Sequence, residues 1–99
     1  MSFASSVFWI SAGPAIWAAH FLAIYGVTTI ACAQRMPAAV PWIVAAATLI
    51  AGSIALVVLV KCLRQRSEFV RWIGAGNAGL ALVAILWESL PALTVPPCA

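Results

Sequence analysis

Three long apolar stretches separated by two short polar breaks organise this chain. The first runs from about Val7 to Ala33, the second from about Trp42 to Leu63, and the third from about Glu68 to Leu90. Each exceeds the roughly 20 helical residues that cross a hydrocarbon core. The pattern therefore predicts an all-α, membrane-spanning three-helix bundle, with residues 1–99 as a single integral membrane domain.

The breaks are chemically distinct. Arg35-Met36-Pro37 and the nearby Pro41 mark a turn, and Pro41 suits a helix N-terminus, where its missing donor costs nothing. Ser67 is placed to cap the third helix, with Glu68 at the positive end of its dipole. That helix is expected to stop before Pro91, leaving PALTVPPCA extended. Inside the first stretch, Gly13-Pro14 gives two readings. Pro14 either kinks one long helix and frees the Ile10 carbonyl, which is preferred, or begins the spanning helix.

Composition supports the bilayer. Hydrophobic residues make up 66% of the chain and charged residues only 7%. A soluble domain this small leaves too much of its surface exposed to hide that fraction. The net charge of +3 matters for where it lies. Lys61, Arg64, Arg66 and Arg71 flank the second break, and Arg35 alone lies elsewhere. Positive-inside bias reads them as a cytoplasmic loop touching anionic lipid headgroups, not as a nucleic-acid site. The N-terminus is then cytoplasmic and the C-terminus outside. Trp9 and Trp72 fall at the inner interface, Trp42 and Trp87 at the outer one, and Trp17 is deep. Ala31-Cys32-Ala33 resembles a signal-cleavage site, but the first twelve residues lack the basic region such signals carry, so no cleavage is expected.

Helices in lipid associate through close packing of small residues. Ser11, Ala15, Ala19 and Ala23 form one four-residue stripe. Ala47, Ala51 and Ala55 form a second, flanked by Thr48 and Gly52. On the third helix Gly74 pairs with Ala78, and Ala75 with Gly79. The default expectation is that these seams pack on one another. Gly74 to Gly79 also satisfies G-x-G-x-x-G, but the preceding strand and the later acidic residue of a dinucleotide site are absent from the pattern.

Few residues carry chemistry. His20 falls near mid-membrane, where an ionisable group is a functional candidate by default. It reads as a haem or metal ligand with a second ligand from a partner, as a proton-relay group, or, by preference, as a neutral imidazole bonded to a neighbouring helix. No cofactor is identified. Asn77 is expected to donate to the carbonyl freed by Pro14. Glu88, in the expected last turn of the third helix, either meets Arg35 or is solvated. Cys32 and Cys98 share the outer side, where a disulfide and two free thiols both remain open, while Cys62 lies at the inner end.

Gly13-Pro14-Ala15-Ile16-Trp17-Ala18-Ala19-His20-Phe21, followed by Tyr25 and Cys32, resembles the first helix of small uncharacterised bacterial membrane proteins found beside caa3-type cytochrome oxidase and its assembly factors. The resemblance implies a non-catalytic accessory or assembly component of a respiratory complex in the bacterial inner membrane, contacting other membrane subunits. It places His20 and Cys32 near metal or haem delivery. Two alternatives stand beside it: a haem- or quinone-site membrane anchor subunit of a respiratory dehydrogenase, and a holin-like or self-associating small membrane protein. A small multidrug exporter would need a fourth helix and a carboxylate deep in helix one. An autonomous enzyme is not expected.

Overall fold

The computed structural model describes residues 2–96 and 98, with Leu93 described by its backbone alone. Three helices form an elongated bundle of 50 × 22 × 15 Å, a length that matches a bilayer with its headgroup regions. Helix α1 spans Phe3–Ala33, α2 spans Val40–Leu63 and α3 spans Ala75–Thr94. A 3₁₀ turn, Pro37–Ala39, leads into α2, and a wide π turn, Val70–Gly74, leads into α3. Counting these turns, all three helical segments are long and apolar enough to cross a membrane.

The helix ends follow local chemistry. Helix α1 starts at Phe3, earlier than the hydropathy suggests, because Ser2 caps it by accepting the Ser5 amide at 3.2 Å. Pro14 lies inside this one continuous helix. At its far end Arg35 takes φ of 57°, and the Met36 amide reaches back to the Ala31 carbonyl at 2.8 Å. This closes the helix with a left-handed residue in the place glycine usually fills. Ser67 accepts the Val70 amide at 3.4 Å, and Glu68 pairs with Arg71 at 3.6 Å.

Helix α3 runs through Pro91 to Thr94, instead of stopping before the proline. Pro91 removes one bond only, and the Val95 amide still reaches the Pro91 carbonyl at 2.8 Å. Val95 is the first extended residue because it precedes Pro96, whose ring disfavours helical geometry at the position before it. Pro97 and Ala99 of the expected extended tail lie outside the described residues.

The bundle packs along a line of small residues that only partly matches the expected seams. Ala55 and Ala78 are fully buried, and Ala51 and Ala75 nearly so. A Cβ on Gly13 would lie 2.8 Å from the Ala78 Cα, so at this crossing only glycine lets the two backbones approach. Gly74 sits similarly against the Cys62 thiol, which donates to the Trp9 carbonyl. By contrast Ala15, Ala19 and Ala23 face outward, as does Ser11. The face of α1 that packs is set by Gly13 and His20, and Ala19 is turned from it by roughly 100°, one residue of helix. Gly52 and Gly79 also miss the seam, since an added Cβ at either would meet nothing.

Candidate functional site

Among the described residues, a polar cluster inside the bundle is built from all three helices. His20 is 3% exposed, and both of its ring nitrogens are engaged. Nδ1 lies 3.2 Å from Oε2 of Glu88 on α3, and Nε2 lies 3.1 Å from the Thr48 hydroxyl on α2. An ionised carboxylate only accepts, so with Glu88 ionised the Nδ1 proton is donated to it. Nε2 then accepts the Thr48 hydroxyl proton in the neutral ring, or donates to the hydroxyl oxygen in the imidazolium. Either state satisfies the imidazole and ties three helices at one point.

Glu88 is therefore not at a helix end facing Arg35. Because α3 continues past Pro91, Glu88 lies more than a turn inside it, and its partner is His20. Side chains on a helix lean toward its N-terminus, which carries the Glu88 carboxylate inward along the bundle. For His20 to ligate haem or a metal, one of its two bonds would have to break. Among the described residues no three His, Cys, Asp or Glu side chains gather where a metal could sit.

Asn77 serves a second polar contact nearer the other end. Its side-chain amide donates to the Ile10 carbonyl at 3.0 Å. That carbonyl is the acceptor whose helical donor Pro14 lacks.

Toward the end of the bundle where α1 stops, Cys32 and Cys98 are joined in a disulfide with Cα atoms 5.5 Å apart. Beneath it a cleft of about 550 Å³ opens between the helices, with Glu88 in its wall. Ile24, Val40, Val44 and Ala92 supply apolar surface, and Tyr25, Thr28 and Thr29 supply hydroxyls. A second groove, about 350 Å³, runs between α1 and α2 along Ala19, Ala23, Ala47 and Ala51, and reaches the edge of His20. Many large apolar side chains point outward, with Leu22, Leu49 and Leu80 each about 70% exposed (68%, 72% and 71%).

Sequence reasoning placed Thr48 beside a packing stripe and overlooked it as the partner of His20. The available signal is a hydroxyl near the middle of a largely apolar span, which Ser53 shares. The cleft-lining hydroxyls Thr28 and Thr29 carry the same kind of signal on α1. No known protein family, curated protein or solved structure matches the chain.

Proposed function

We propose that the chain is a non-catalytic accessory or assembly subunit of a membrane respiratory complex, in the first place a haem-copper oxidase, in a bacterial inner membrane. The observation that carries this reading is the outward stripe of Ser11, Ala15, Ala19 and Ala23 on α1. Small residues at four-residue spacing let another helix approach closely, and all four are exposed in the bundle, Ala19 and Ala23 along the groove beside α2. The interior polar groups are meanwhile engaged in holding helices together. The respiratory assignment comes from the resemblance of the segment from Gly13 to Cys32.

The orientation is N-terminus in, C-terminus out. The exposed Lys61, Arg64 and Arg66 then meet anionic headgroups on the cytoplasmic side. The disulfide falls on the oxidising side, where such bonds persist. A second reading, a haem-bearing anchor subunit, is favoured by the groove that reaches His20. There a partner's ligand would enter between α1 and α2 while His20 releases Thr48.

The test is purification of the tagged protein at native level in mild detergent, with mass spectrometry of what accompanies it. Stoichiometric oxidase subunits, lost when Ala15 and Ala19 are both replaced by leucine, are the expected result. Recovery of the chain alone overturns the accessory reading. A b-type haem spectrum that disappears in His20→Leu would favour the anchor reading instead.

A further inference from the structure

We propose that the cleft beneath the Cys32–Cys98 bridge binds an amphiphile carrying a protonated amine, with Glu88 as its counter-ion. The size suits such a ligand, since about 550 Å³ falls inside the usual range of small-molecule pockets. So does the lining, in which a few polar groups interrupt apolar walls. Ile24, Val40 and Val44 would contact an apolar body, while Glu88 and Thr28 line the same cleft and can supply acceptors.

Glu88 is the reason for choosing a cation. Its Oε2 is bound to His20, but among the described residues Oε1 has no hydrogen-bond partner in the protein. The side chain is 19% exposed, and Glu88 lines the cleft. Carboxylates in apolar surroundings need a paired charge. Among the described residues His20, on Oε2, is the one basic side chain paired with Glu88, and no lysine or arginine reaches it. When Glu88 is ionised and His20 is neutral, Oε1 presents an unshared negative charge toward the cleft. An ammonium both neutralises it and donates to Oε1.

A bare metal ion fits less well, because it needs several ligands and three metal-ligating side chains do not gather here among the described residues. A neutral amphiphile would leave the charge unanswered. The ammonium could come from a soluble arylalkylamine or from a phosphatidylethanolamine headgroup, since the same N–H donors serve in each.

The experiment uses the full chain in nanodiscs of phosphatidylcholine, with phenylethylammonium as the probe and the His20 ring resonances as the signal. Saturable binding that shifts those resonances is expected, weakened at least tenfold by Glu88→Gln and absent for neutral 2-phenylethanol. Glu88→Gln keeps an acceptor for His20, so the bundle should persist. If it does not fold, Thr28→Trp, which fills the cleft and leaves the cluster intact, should abolish binding in a helical, disulfide-bonded protein. Adding phosphatidylethanolamine identifies the source: competition assigns the site to the lipid headgroup, and unchanged binding assigns it to a soluble amine. Equal binding of the alcohol, unaltered binding in Glu88→Gln and Thr28→Trp, or no saturable binding to the folded native chain overturns the proposal.

Discussion

Asn77 of α3 donates to the carbonyl of Ile10 on α1 at 3.0 Å, and Ile10 stands four residues before Pro14. The two facts are one design. A proline inside a membrane helix leaves a carbonyl without its donor, and lipid offers no water to replace it. The amide of a neighbouring helix fills the gap and fixes the register of α1 against α3.

A double-mutant cycle checks this coupling. Asn77→Leu should cost about 1 kcal/mol, within the range measured for interhelical hydrogen bonds in membranes. In a Pro14→Ala background the Ile10 carbonyl regains a helical donor, so the same substitution should cost close to nothing. Reversible unfolding in bicelles gives both numbers. Equal costs in the two backgrounds would show that Asn77 acts independently of the proline.

The glycines separate close approach from mere composition. Gly13→Ala places a methyl 2.8 Å from the Ala78 Cα, where only backbone movement can make room. A loss of about 1–3 kcal/mol follows from such overpacking. Gly52→Ala and Gly79→Ala meet open space and should be neutral or slightly stabilising, since alanine is the better helix former. Thermal unfolding of the three variants side by side gives the order, and a Gly13→Ala protein as stable as the other two would contradict the contact.

Much of this architecture is legible in the sequence. The three spans follow from hydropathy alone, because crossing lipid demands length and apolarity and little else. The pairing of Asn77 with Ile10 was legible as well, because a proline states which carbonyl it orphans. The packing face of α1 was not. Ser11, Ala15, Ala19 and Ala23 form the more regular stripe, but the contact that wins is Gly13 with Ala78, and a single close approach leaves no periodic trace. Glu88 was misplaced for a related reason. Pro91 looked like a stop, yet near a helix end it removes just one bond, so Glu88 sits deeper than expected and meets His20 instead of Arg35.

The Cys32–Cys98 bridge closes a long stretch of chain, with a sequence separation of 66. Chain entropy alone would assign a loop of that size about 4 kcal/mol. Helices already inserted in a bilayer have less freedom to lose, so about 2 kcal/mol, the low end of the usual range, is the expected penalty of reduction. Mass spectrometry after alkylation provides the covalent check. The native folded protein should take up no label at Cys32 or Cys98, and reduction should expose both. Cys62, buried against Gly74, should react only on unfolding. Labelling of Cys32 and Cys98 without reductant in protein isolated from an oxidising compartment would refute the bridge.

The His20 cluster makes the sharpest energetic claim, because three helices share it. His20→Leu removes both bonds and leaves the Glu88 Oε2 and the Thr48 hydroxyl without partners at once. Stranding such groups costs about 1–3 kcal/mol in protein interiors, so a loss in that range is expected. Leucine fills much of the same volume, which confines the loss to polar terms. Adding Glu88→Leu to His20→Leu should then recover about 1 kcal/mol or more relative to additivity, since the stranded carboxylate is gone. Thr48→Val should cost less than His20→Leu, because His20 keeps its bond to Glu88. Unfolding free energies for this set, measured in one lipid, decide whether the cluster is a structural tie. Strict additivity, with His20→Leu nearly neutral, would mean that the imidazole holds no helices together and is retained for some other task.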